Sequence, residues 1–185
     1  MFPLTTTLSQ LQKAIPGRDD AYGYLRAFDD KTPGDKTITY EKLLDALGLD
    51  GALYCCSAEP QYSALWRQYA IWCARQVQHL MEDASGPHLL DIAQDHANGK
   101  VSDDDLDYAR TEAESISSAA MATRWAASIP AWAGAYRAAG CAREAALHAH
   151  GAAAAARHAD DPGWPGVSAQ SAAFRQLVTI GTLPA

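Results

Sequence analysis

The sequence predicts an all-α protein, folded as a single helical-bundle domain of about eight or nine helices. Apolar side chains recur at three- and four-residue steps along most of the chain, and Gly or Pro residues separate these periodic stretches. About two residues in five between 109 and 159 are alanine, which is the strongest helix former and has almost no bulk. We therefore expect C-terminal Ala-rich helices that pack closely, and essentially no sheet.

The first sixty residues predict several short helices. Thr7 or Ser9 is placed to cap the first one, which ends before Pro16 because proline disfavours helix at the preceding residue. A second helix is expected to start at the aspartates 19–20 and to continue to about Phe28.

The segment around Thr39 is compatible with two local structures. Residues 37–39 could form a very short strand, but Thr39 is better placed to cap a helix. Gly48 is expected to end that helix, and a further short helix is expected over about residues 49–57.

Residues 1–60 thus predict an N-terminal lobe of short helices, and residues 61–185 the main bundle of one continuous domain. The periodicity places helices at 61–82, 87–98, 102–128, from Pro130 onward and at 167–180. In the first of these, Arg67 and Arg75 lie between the apolar positions. Ser102, followed three residues later by Asp105, approximates a capping box.

Composition and charge limit the class of protein. The chain has 185 residues and a formal net charge of −7, which disfavours direct contact with free nucleic acid and with anionic membranes. The most apolar stretch, at 125–136, is far shorter than the roughly 20 residues of a membrane-spanning helix. The four cysteines form no Cys-x-x-Cys motif, and no secretory signal pattern occurs. We therefore predict a cytoplasmic protein with reduced, mostly buried thiols.

The negative charge is concentrated in residues 82–114, called here the acidic segment. This segment contains only two basic residues, Lys100 and Arg110. Its acidic residues are Glu82, Asp83, Asp91, Asp95, Asp103, Asp104, Asp105, Asp107, Glu112 and Glu114.

Five carboxylates of the acidic segment are the predicted partner-binding residues: Asp91, Asp95, Asp103, Asp104 and Asp107. The first two lie four residues apart on one helix face, and the other three crowd the start of the next helix. A solvated surface with carboxylates at a helix N-terminus explains the same pattern. The functional interpretation is a face that docks a protein with a basic surface, because complementary charge speeds association and excludes wrong partners.

Catalytic chemistry has little support in the sequence. No nucleophile-elbow, zinc-protease or phosphate-loop motif occurs, so we predict no catalytic residues, no metal and no cofactor. A metal-dependent enzyme remains an alternative, since Glu144 and His148 lie four apart on one helix and Asp91, Asp95 and His96 on another. The Glu-x-x-His spacing typical of di-metal bundles is absent, and surface histidines explain the same residues.

Several segments resemble a known family when they are taken in their order along the chain. They are LLDALGLDGAL at 43–53, IWCARQVQHLM at 71–81, IAQDHANGKVSD at 92–103, the alanine-rich array and FRQL at 174–177. This order resembles the helical immunity protein family, whose members occur near bacterial polymorphic toxin genes and in phages and prophages. The similarity covers most of the chain from about residue 20. At residues 83–86, Asp-Ala-Ser-Gly replaces the family's Asp-Pro-Arg-Ser turn.

The resemblance implies an all-helical protein that binds and neutralises a toxin, and it supplies no catalytic residues. Together with the acidic segment it predicts a non-enzymatic immunity or inhibitor protein that binds its partner stoichiometrically through an acidic helical face. A phage-encoded anti-defence protein that imitates nucleic acid is the alternative binder. A homodimer also stays open, because Ala-rich faces pack equally well in a monomer core or a dimer seam.

Overall fold

The structure is a computed structural model that describes residues 2–14, 36–80, 85–112, 118–128, 131–141 and 166–184. Over these ranges the chain is all-α, as predicted: α-helices dominate and the only sheet has two short strands. The helix expected over 19–28 lies outside the described residues, as do Glu144 and His148.

The strands and helices are numbered along the chain. The strands are β1 (Thr5–Thr7) and β2 (Thr37–Thr39), and the helices are α1 (Leu8–Ala14), α2 (Tyr40–Cys55), α3 (Ser63–Gln76), α4 (Ser85–Ala97), α5 (Asp103–Glu112), α6 (Ser118–Ala126), α7 (131–141) and α8 (Gly166–Ile180). Single 3₁₀ turns cover Cys56–Ala58, Pro60–Tyr62 and Gln78–Leu80. The chain divides into two compact units, Met1–Tyr62 with Ser171–Ala185, and Ser63–Gln170.

The small sheet of the first unit departs from the prediction of essentially no sheet. β1 and β2 pair antiparallel with Thr6 opposite Ile38, and both side chains are buried. The sequence does not predict β1, because three consecutive threonines show no alternation and their strand exists only through its pairing. At β2 both open alternatives are realised, since Thr39 ends the strand and its Oγ1 accepts the Lys42 N–H at 3.3 Å.

Two local signals of the first unit are confirmed. Thr7 caps α1, because its Oγ1 accepts the Gln10 N–H at 3.2 Å while Gln10 Oε1 accepts the Thr7 N–H at 3.1 Å, a reciprocal capping box. Gly48 interrupts α2 with a left-handed φ of 68°, which a residue without a Cβ adopts at no steric cost. The helix resumes directly after it.

The helix predicted over 61–82 is shorter than the periodicity indicates. The α-helix covers only Ser63–Gln76. Beyond it the Val77 N–H donates to the Ala74 carbonyl at 3.2 Å and the Leu80 N–H to the Val77 carbonyl at 3.0 Å, which are the three-residue steps of a 3₁₀ turn. Val77 is still buried, so apolar spacing alone does not distinguish the two kinds of helix.

The close packing expected of the Ala-rich helices is present in α6 and α7. Their buried alanines are at most 5% exposed: Ala119, Ala122, Ala126, Ala131, Ala135, Ala138 and Ala139. A Cβ added at Gly134 of α7 would lie 2.5 Å from the carbonyl oxygen of Trp125 in α6. The two backbones therefore approach to a distance that only glycine allows at this position.

In the described part of the chain, no helix has both the length and the apolar character that crossing a membrane requires.

Candidate protein-binding face

The acidic segment is built on α4, α5 and a short turn between them that is fixed by hydrogen bonds. α4 ends at Ala97 and is followed two residues later by Gly99, whose φ is 74°. The Lys100 N–H donates to the Asp95 carbonyl and the Gly99 N–H to the His96 carbonyl, both at 2.9 Å. This pair of bonds is the Schellman pattern of a glycine-terminated helix. The helix predicted over 87–98 therefore ends within one residue of the predicted position.

The start of α5 is also fixed locally. Ser102 Oγ accepts the Asp105 N–H at 3.2 Å, and the Ser102 hydroxyl donates to Asp105 Oδ2 at 2.6 Å. The capping interaction predicted from the sequence is therefore confirmed, with the side chains bonded to each other in addition. A stop signal and a start signal a few residues apart set the direction in which α5 leaves α4.

Four of the five predicted partner-binding carboxylates are solvent-exposed on these two helices, and the fifth, Asp95, is half-buried. Four of the five contact a basic or imidazole side chain: Asp91 with Arg75 at 2.9 Å, Asp95 with Lys100 at 3.0 Å, Asp103 with His96 at 2.7 Å and Asp107 with Arg110 at 2.7 Å. Asp104 has no ion pair with any described residue. Asp91 and Asp103 nevertheless keep 68% and 70% of their side-chain surface exposed.

These contacts orient the carboxylates without withdrawing them from solvent. Ion pairs on a protein surface contribute only about 0–1 kcal/mol each, because water screens both charges. A partner that offers its own cations can therefore replace the internal ones at small cost. The five aspartates also outnumber the three cations Arg75, Lys100 and Arg110, so the face remains negative.

A buried arginine lies beneath this face. The apolar periodicity of the helix predicts instead that this residue lies between the buried positions, on the polar side. Arg67 of α3 is 3% exposed, and its Nη1 donates to the carbonyl of Ala126, the last residue of α6, at 3.0 Å. Burial lowers the pKa of Arg67 to about 10, while attraction to Asp103 opposes that shift. No sequence signal identifies Arg67, since a buried arginine looks like an exposed one in a helical pattern.

His96, in the last turn of α4, connects the two helices of the face. Its Nε2 contacts Asp103 on α5, and its Nδ1 is buried without a hydrogen-bond partner among the described residues. Within the described ranges no group of three or more His, Cys, Asp or Glu side chains is arranged to hold a metal ion. Two residues of the metal-dependent alternative form other contacts: Asp95 pairs with Lys100, and His96 contacts Asp103.

Tyr108 is a further feature of the face, and apolar periodicity alone does not identify it. It is 68% exposed, whereas Leu106 of the same helix is fully buried. At 100° per residue, Asp104 and Tyr108 lie on the side of α5 opposite Leu106. The signal that identifies Tyr108 is this helical position relative to the one leucine of an otherwise polar helix.

Burial makes two of the cysteine thiols unreactive. All four are thiols, and three are buried, namely Cys55, Cys56 and Cys73, as the sequence predicts. Burial raises the pKa of Cys55 to about 12 and that of Cys56 well above its ordinary value. Both thiols therefore stay protonated and unreactive at neutral pH.

Comparison with known proteins returns no matching family model, no matching curated protein and no matching solved structure.

Proposed function

We propose that this chain is a non-enzymatic immunity or inhibitor protein that neutralises a basic protein by stoichiometric binding to the face formed by α4 and α5. One observation carries the proposal. The five aspartates of the predicted docking face lie at the surface of two adjacent helices, four of them exposed and Asp95 half-buried, in a chain whose net charge is −7. Such a surface fits a positively charged partner and repels nucleic acid and anionic membranes.

The rigidity of the face supports a binding role. The glycine stop at the end of α4 and the serine cap of α5 fix the turn between the helices. A surface that is already ordered loses little conformational freedom when it binds, so more of the contact energy appears as affinity. The exposed carboxylates also steer encounter, and both contributions suit an inhibitor that must capture its target quickly.

The resemblance to the helical immunity protein family supplies the class of target. In that family the partner is a toxin encoded nearby, and we extend this role and a cytoplasmic location to the present chain as part of the proposal. No catalytic residue, metal or cofactor enters the mechanism, because inhibition follows from covering the partner's basic surface. A nucleic-acid mimic would use the same face. A competition experiment with duplex DNA distinguishes the two roles, because a mimic and DNA would compete for the same site on the partner.

The experiment measures binding of the purified full chain to the protein encoded by the adjacent open reading frame, by calorimetry at two salt concentrations. The triple variant Asp103→Asn, Asp104→Asn, Asp107→Asn removes three charges and keeps the side-chain shapes. At about 0.2–1 kcal/mol per exposed pair, we expect affinity to fall roughly 3- to 150-fold and its salt dependence to weaken.

A matched control is Asp50→Asn, which removes an exposed carboxylate from α2 and should leave affinity unchanged. The single variant Asp104→Asn is compared with it, because each of the two variants removes one charge, and only Asp104 belongs to the docking face. Circular dichroism verifies that each variant is folded. Unchanged affinity and salt dependence in the triple variant would rule out this face as the docking surface.

A further inference from the structure

The proposed docking face carries one large exposed aromatic ring, that of Tyr108. This side chain is the most exposed of the large apolar ones in the described ranges. Surface aromatics that occur singly are common, but this one lies within the acidic segment, on a helix that begins with three consecutive aspartates. Tyrosine and arginine are also among the residues that contribute most to binding at protein interfaces.

The geometry of α5 places this ring beside a carboxylate. Asp104 and Tyr108 are four residues apart, so their Cβ atoms lie about 5–6 Å from each other on the same side of the helix. Leu106 is fully buried on the opposite side, which keeps this pair directed to solvent. Within the described part of the chain neither the Asp104 carboxylate nor the Tyr108 hydroxyl has a hydrogen-bond or ion-pair partner.

We propose that Asp104 and Tyr108 form a receptor for one arginine side chain of a basic protein partner. The guanidinium would lie over the Tyr108 ring and pair with the Asp104 carboxylate. This inference rests on the proposed function and specifies the chemistry that the partner presents to the face. Charge complementarity selects a cation, and the ring selects arginine over lysine, because the planar guanidinium stacks on aromatic faces and pairs with carboxylates in two-point geometry.

The neighbouring contacts hold this receptor in place. The Ser102 cap fixes the first turn of α5, and Asp103 is held by His96 on α4 and attracted by the buried charge of Arg67. Thr111 Oγ1 donates to the Tyr108 carbonyl at 2.7 Å, one turn later. A tyrosine on such a fixed helix has only two side-chain torsions to order on binding, so it provides contact area at low entropic cost.

The test uses the full chain and two simple probes, hexa-arginine and hexalysine, whose binding is followed by amide chemical shifts. We expect both peptides to shift resonances of α5 and the arginine peptide to bind about two- to fivefold tighter, because the planar guanidinium both stacks on the ring and pairs with the carboxylate in two-point geometry. Tyr108→Leu should abolish this preference, and Tyr108→Phe should keep it because the ring remains. Ile180→Leu, at an exposed apolar position on α8, should change nothing.

The outcomes separate this inference from the proposed function. If Tyr108→Leu still binds the arginine peptide more tightly than the lysine peptide, the proposed arginine receptor is wrong. The docking face is still supported in that case if the triple asparagine variant no longer binds either peptide. If the triple variant binds both peptides as well as the parent chain, the docking face itself is wrong. Absence of any shift in α5 would overturn both proposals.

Discussion

The acidic segment and the Ala-rich helices belong to the same compact unit but are held in place by different means. On α5, Leu106 is the one buried side chain among those described, and most of the others are exposed. On α6 no described side chain is exposed, and on α7 only Tyr136 and Arg137 are. The acidic helices present charge to solvent, whereas the Ala-rich helices bring backbones together.

This difference determines what each region tolerates. A helix attached through one buried leucine, one local cap and the contact between Asp103 and His96 depends for its position on those few groups. A helix pair without bulky side chains at its contact has no flexible group to move aside, so any added volume meets backbone. The first region is therefore sensitive to deletion of side chains, and the second to their enlargement.

The largest effect is expected from removing the one leucine that attaches α5. Leu106→Ala deletes a fully buried side chain and should lower the free energy of unfolding by about 2–5 kcal/mol. Hydrogen exchange of the amides of Asp103–Glu112 should accelerate most, because the helix loses its anchor. Chemical denaturation and exchange mass spectrometry measure the two effects.

Thr111→Ala is the control for this prediction, since Thr111 lies on the exposed side of the same helix. Its effect should stay within about 0.5 kcal/mol. Equal destabilisation by the two variants would mean that α5 is not held through Leu106.

The second effect tests close approach in the Ala-rich region. Gly134→Ala places a Cβ 2.5 Å from the Trp125 carbonyl oxygen, and the backbones must separate to accept it. We expect a loss of about 1–3 kcal/mol, the range for overpacking. The midpoint of thermal or urea unfolding reports it.

The same helix offers a matched substitution at Gly140, where an added Cβ meets nothing within 4 Å. Gly140→Ala should be neutral, or stabilising by up to about 1 kcal/mol, because alanine is the better helix former. If the two alanine variants change the free energy of unfolding equally, close backbone approach does not limit what α7 tolerates.

The smallest effect concerns the cap that begins α5. Ser102→Ala removes the oxygen that accepts the Asp105 N–H and should cost about 0.5–2 kcal/mol, while Ser102→Gly should cost only a few tenths. A ranking in which glycine is worse than alanine would show that the hydroxyl does not act as a cap. Unfolding in urea resolves the difference between these variants.

Much of the fold follows from local patterns in the chain. Ser102 is a recognisable cap because Asp105, three residues later, completes the motif, and Thr7 is one of the two caps that the sequence offers for α1. Gly48 and Gly99 are recognisable breaks because glycine takes a positive φ without steric cost, and both residues have a positive φ in the structure. The exposed carboxylates of the face follow from the same local logic, since aspartates at a helix start lie in solvent.

Other features depend on contacts between distant residues and have no local signal. β1 exists because residues 5–7 meet residues 37–39, and the end of α3 at Gln76 is set by a tightening of the backbone that apolar spacing does not report. Arg67 is buried because the carbonyl of Ala126, far along the chain, accepts its hydrogen bond. Tyr108 becomes notable only once Leu106 fixes which side of α5 faces the core.

The sequence by itself determined the helical class, the helix caps, the chain breaks and the concentration of negative charge, because each depends on residues within a few positions of one another. The tertiary structure decided which polar side chains are buried, which aromatic is exposed, and how closely α6 and α7 approach. Those properties depend on which surfaces meet, and burial is a property of the meeting surfaces, not of either segment alone.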